Sequence, residues 1–168
     1  MDFNDGFRQH QRGVSLIEAV VATLVLGVAV LGYAGLEVTG LRTTNEAFLR
    51  ENATYLAIEA KERIRMNRAQ NEFYLTTSNW VTTGTASCGA GYADCTSDQV
   101  AVHDISELTQ LAADYLPNGA IGVTSCGTTN EVENCIMVSW ASTTVSTCNP
   151  ASATASKTNC IEVVVYDF

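Results

Sequence analysis

Gly13-Val14-Ser15-Leu16-Ile17-Glu18, followed by the uncharged run Ala19 to Leu36, decides how the rest of this 168-residue chain is read. Residues 1–13 are mostly polar, with Asp2, Asp5, Arg8, His10 and Arg12 among them. A secretory signal places its apolar core before the cleavage site. Here the polar residues come first and the apolar ones follow Gly13. Ala19 to Leu36 gives 18 residues, close to the roughly 20 that cross a bilayer as a helix, and Leu16 and Ile17 extend it. Arg8 and Arg12 precede the run, so the positive-inside rule keeps the leader cytoplasmic and sends the remainder outward. Glu18 is the one charge at the head of the run. A carboxylate inside a bilayer costs about 2.5–3.5 kcal/mol on insertion scales, so it calls for a compensating partner.

Charge divides the chain in the same way. Up to Ala69 there are eight basic and eight acidic residues; beyond it Lys157 stands alone against ten acids. An acidic, Thr- and Ser-rich outer part excludes a nucleic-acid partner, whose phosphates require a basic face. It also excludes docking on anionic lipid. All six cysteines, at 88, 95, 126, 135, 148 and 160, lie in that acidic part, which points to disulfides in an oxidising compartment. Reduced, buried thiols are the competing reading. Zinc is disfavoured, because no Cys-x-x-Cys occurs and only His103 is near. Six cysteines allow fifteen pairings. Sequential pairing is preferred: Cys88–Cys95 closes a Gly-rich loop, Cys126–Cys135 joins two strand ends, and Cys148–Cys160 brackets a polar segment before the last strand.

No proline interrupts Val14 to Pro117, and helical composition persists to about Ala69. Gly27, Gly32, Gly35 and Gly40 weaken the first half and suggest close helix packing or local unwinding. In the second half Leu49, Ala53, Leu56, Ala60 and Ile64 line one face. Glu46 with Arg50 and Glu59 with Arg63 are spaced as helical ion pairs, and Arg63, Arg65 and Arg68 suit a helix C-terminus. Residues 70–103 read mostly as loop. Asp104-Ile105-Ser106-Glu107 has the form of a capping box, opening a short helix whose apolar face is Ile105, Leu108, Leu111, Ala112 and Tyr115 and which ends before Pro117. Strands are predicted at Gly119–Cys126, Cys135–Ser142 and Cys160–Asp167. The expected fold class is α+β: a long N-terminal helix packed on a small antiparallel sheet.

The stretch around Gly13 resembles the class III signal shared by type IV pilins and the pseudopilins of type II secretion. Val14 stands where phenylalanine is usual. Val30-Leu31-Gly32-Tyr33-Ala34-Gly35-Leu36, Glu62-Arg63-Ile64-Arg65-Met66-Asn67-Arg68, Leu116-Pro117-Asn118-Gly119 and Ile136-Met137-Val138-Ser139-Trp140 are similar to segments of the PilV-type minor pilins. The resemblance implies cleavage by a prepilin peptidase between Gly13 and Val14, methylation of the new Val14 amine, and attraction between Glu18 and the Val14 amine of a neighbouring subunit. It further implies a leader at 1–13, a membrane and polymerisation half at 14–41, an amphipathic half at 42–69, and a periplasmic head at 70–168.

The function expected is that of a minor pilin, stored in the inner membrane and then assembled into a surface pilus, where it helps start or cap the filament and supports adhesion and twitching motility. Its implied partners are other minor pilins, the major pilin, the peptidase, the inner-membrane assembly platform and a tip adhesin. A minor pseudopilin of type II secretion is the alternative. A membrane-anchored enzyme is the third class, but no catalytic cluster is found and no cofactor or metal is expected. Asp94, Asp98, Glu131 and Glu133 suggest calcium only weakly, since no EF-hand pattern occurs. His103 reads as an exposed residue before the helix. Trp80, Trp140, Tyr92 and Tyr166 read as core.

Overall fold

The computed structural model describes residues 15–81, 88, 95–126, 133–148 and 158–165. By its contacts the chain divides into residues 1–44 and 45–168. The described part of the first unit is helical. Helix α1 (Leu16–Met66) begins there, with the backbone N–H groups of Glu18 and Ala19 donating to the Ser15 carbonyl at 3.0 and 3.2 Å. The helix runs unbroken through Gly27, Gly32, Gly35 and Gly40, so local unwinding at these glycines is not observed. A Cβ at any of the four would meet open space. All residues from Ser15 to Phe48 are exposed.

In the second unit α1 acquires a buried stripe of Ala53, Leu56, Ala57, Ala60 and Ile64. It ends at Met66 rather than Ala69. Asn67 leaves helical geometry at φ −114° and ψ 58°, and its side-chain amide donates instead to the Ser97 carbonyl at 2.7 Å. The stretch expected as loop from residue 70 is partly helical. It contains the 3-10 turns Arg68–Gln70 and Thr77–Trp80 on either side of helix α2 (Asn71–Leu75). Burial of two aromatic residues fixes this connection: Tyr74 is inaccessible and Trp80 nearly so, and Trp80 Nε1 donates to the Tyr74 carbonyl at 2.7 Å.

Helix α3 (Ser97–Tyr115) starts seven residues before the expected cap at Asp104. Its capping box is Thr96 with Gln99, the Thr96 N–H donating to Gln99 Oε1 at 3.0 Å. Ala101, Ile105, Leu108 and Ala112 form its buried face, whereas Tyr115 is exposed. His103 lies inside the helix and is half-buried, not exposed before it.

Strands β1 (Ala120–Ser125), β2 (Asn134–Ser139) and β3 (Cys160–Val165) form an antiparallel sheet in the order β1-β2-β3. The second strand stops short of the predicted Ser142 because Ala141 turns the chain at φ 60°. Ile121 pairs with Val138, Val123 with Ile136, and Ile136 in turn with Val163. These residues share one face, since side chains alternate along a strand. They join the α1 stripe, the α3 face and Trp140 in one core. Arg50 stacks over the Trp140 ring, 5.9 Å from its centroid. Cys135, Met137 and Val164 belong to a second cluster, which Cys148 of the short helix α4 (Val145–Cys148) completes. The fold is therefore α+β, a long N-terminal helix packed on a three-stranded antiparallel sheet. Disulfides join Cys88 to Cys95, Cys126 to Cys135 and Cys148 to Cys160, with Cα separations of 5.9, 5.7 and 5.9 Å.

Candidate functional site

Two regions carry chemistry beyond packing. The first is the head of α1. Glu18 sits exposed in its first turn, where unsatisfied N–H groups and the helix dipole favour a carboxylate by about 0.3–1 kcal/mol. That falls short of the roughly 2.5–3.5 kcal/mol that a charge costs inside a bilayer, so the helix alone does not compensate Glu18. Gly13 and Val14 lie outside the described residues. Downstream, Leu24, Val28, Leu31 and Leu36 are between 65% and 75% exposed. The helix is long and apolar enough to cross a membrane, and its apolar window has no burial within the protein.

The second region holds α1, α2 and α3 together through charge. Arg63, on the buried side of α1, donates to three carboxylates: Glu59 at 2.5 Å, Asp104 at 3.0 Å and Glu107 at 2.7 Å. Burial disfavours its charge, but hydrogen bonds to Glu107 and Glu59 outweigh that, and the guanidinium is held protonated more firmly than usual. Asp104 is only 5% exposed, and its second oxygen accepts the Tyr74 hydroxyl at 2.5 Å. Both Asp104 oxygens are thus occupied, one by each neighbouring helix. Burial, and then this bond, push the Tyr74 pKa up.

That shift has a testable consequence. A group whose folded pKa is raised contributes stability that is complete below its unfolded pKa and is lost as pH rises toward the folded one. The Tyr74 contribution therefore declines above about pH 10, the ordinary tyrosine value. Tyr74→Phe is expected to cost about 1–2 kcal/mol at neutral pH and to remove this part of the alkaline decline, both readable from urea titrations at pH 7 and pH 10.5.

This cluster was not legible as such. Arg63 reads as a helix-end cation and Asp104 as a cap, and the structure makes each the other's partner. Asp98, nearer the true start of α3, has its pKa pushed down by the Thr96 hydroxyl and by backbone N–H groups. Of the residues weighed for calcium, Asp94 and Glu131 lie outside the described residues, as do Tyr92 and Tyr166. Among the described residues, Cys126, Cys135 and Glu162 come close enough to share an ion, but both sulfurs are already bonded to each other, which leaves no thiolate to act as a ligand.

Residues 35–106 match the Tt1218-like family model, described as type IV pilin Tt1218. The match supports a type IV pilin. The matched segment runs from the exposed part of α1 to two residues past Asp104, so both sides of the Arg63–Asp104 contact fall within it. No curated protein and no solved structure matches the chain. The exposed apolar helix fits a membrane-anchored pilin, and the disulfides brace the sheet that closes its core.

Proposed function

We propose that this pilin is a minor subunit of the PilV type: stored in the inner membrane with its head in the periplasm, cut between Gly13 and Val14, methylated at Val14, and incorporated in a complex that starts or caps the pilus. Adhesion and twitching motility follow from that position. The observation that carries the reading is Glu18, a carboxylate with no ion pair among the described residues, at the head of an exposed apolar helix. Cleavage creates an amine at Val14, and the Val14 amine of an adjacent subunit supplies the missing positive charge. In an apolar surrounding such a pair depends strongly on distance and direction, so it sets register as helices bundle. The prepilin peptidase, the assembly platform, the major pilin, other minor pilins and a tip adhesin are the partners this role requires.

Glu18→Ala is expected to leave insertion and cleavage intact while lowering recovery in sheared pili by about tenfold, corresponding to some 1.4 kcal/mol of lost pairing. Immunoblots of membrane and pilus fractions measure both, and unchanged recovery would refute the assembly role. The match to a type IV pilin favours the pilus over type II secretion. Deleting the gene separates the two readings: lost secretion with normal pili reverses that preference.

A further inference from the structure

Beside the buried core residue Leu56, Phe48, Asn52 and Tyr55 of α1 meet Tyr115, the last residue of α3, around a groove of about 430 Å³. Phe48, Tyr55 and Tyr115 are 57%, 68% and 59% exposed. A concentration of large apolar side chains on the outer face of a small acidic domain marks an interaction site. Asn52 lines this groove, and its Nδ2 is buried with no hydrogen-bond partner among the described residues. Buried donors are almost always satisfied, and an orphan requires an explanation. An acceptor brought by a partner provides one. Glu51 edges the same groove and enters no ion pair among the described residues.

We propose that this groove docks a basic segment of a neighbouring pilin subunit, which presents a lysine or arginine to Glu51 and a backbone carbonyl to Asn52. Charge selects this occupant. Glu51 is the only charge among the lining residues, and the chain beyond Ala69 is strongly acidic, so a positive partner is attracted and an anionic membrane surface repelled. Exposed aromatic faces add cation–π attraction for the same side chain. The last turn of a helix offers both required groups at once, because its final carbonyls lack intrahelical partners and basic residues are favoured there.

The inference rests on the pilin reading, and the test keeps the two apart. Asn52→Leu and Glu51→Gln are made in the full chain, together with a benzoylphenylalanine photo-crosslinker at position 115. The detergent-solubilised Asn52→Leu protein should be at least as stable to urea as wild type, since it loses an unsatisfied donor. Both variants should nevertheless fall at least about fivefold in sheared pili, as expected when a groove contact is removed. The crosslink should map to a Lys- or Arg-containing peptide of another pilin subunit. Normal recovery of both variants, alongside depletion of Glu18→Ala, would overturn the groove while sparing the pilin reading. Destabilisation by Asn52→Leu would show an internal acceptor and overturn it too, as would crosslinks confined to lipid or to an acidic segment. Wild-type protein absent from pili would remove the pilin reading, and this inference with it.

Discussion

Arg63→Ala is expected to lower the unfolding free energy of the head by about 3–5 kcal/mol, because it leaves a buried carboxylate without its countercharge. Asp104 is 5% exposed, so water cannot readily replace the guanidinium. Tyr74 remains as a donor to one oxygen, but a neutral hydroxyl does not offset a full negative charge. Glu59 and Glu107 lose the same partner and are left facing one another's charge. Against a typical total of about 5–15 kcal/mol for a domain, this is a large fraction. Denaturant titration of the solubilised full chain measures it.

The double variant Arg63→Met with Asp104→Leu should recover most of the loss, since replacing a buried ion pair by apolar residues of similar volume is often neutral or better. A single-variant cost below about 1 kcal/mol would instead place the contact among ordinary surface ion pairs. The three carboxylates around Arg63 come from α1 and α3, so the expected defect is detachment of α3 from α1. Loss of α3 protection in hydrogen exchange, ahead of the sheet, is the corresponding signature.

The position of this cluster also shows what the sequence concealed. The α1 stripe was legible because Ala53, Leu56, Ala60 and Ile64 recur at helical spacing, and the three strands because Ile136, Val138, Ile161 and Val163 alternate. Those patterns arise from burial, which repeats with the backbone period. Asp104 obeys no such pattern. Its aspartate type and the glutamate three residues on imitate a capping box, and only tertiary contact with Arg63 and Tyr74 accounts for a charge among Ala101, Ile105 and Leu108. The true start was nevertheless present at Thr96-Ser97-Asp98-Gln99, which has the form Thr-x-x-Gln. Starting the helix there puts Asp104 on the apolar face, three residues after Ala101 and four before Leu108, and so identifies it as a buried charge in need of a cation. Helix α2 was hidden for another reason: five residues are too few to establish a period, and it is the burial of Tyr74 and Trp80 that holds it.

The second large effect is expected at Gly119, where substitution by alanine should cost about 3 kcal/mol or more, at the upper end of overpacking penalties. The turn Leu116–Gly119 carries the chain from α3 to β1, with Asn118 at φ 53° and the Gly119 N–H donating to the Leu116 carbonyl at 2.9 Å. A Cβ on Gly119 would collide with the carbonyl oxygen of Ala112 and come within 2.6 Å of Leu116 Cβ. Neither obstacle is the movable tip of a side chain. The Ala112 carbonyl already accepts the Leu116 N–H at 3.1 Å, so retreat would break the last bond of α3, while movement of Gly119 itself would displace Ala120 from its pairing with Ser139. Gly122 supplies the internal comparison. A Cβ there would lie 3.2 Å from Val145 Cγ1, a side chain that can rotate away, and Gly122→Ala is expected to cost less than about 1.5 kcal/mol. Thermal melts of the two variants measure the order directly. Equal costs would mean that the α3–β1 turn yields, and that its geometry is set by the sheet and not by the close approach of Gly119 to the end of α3.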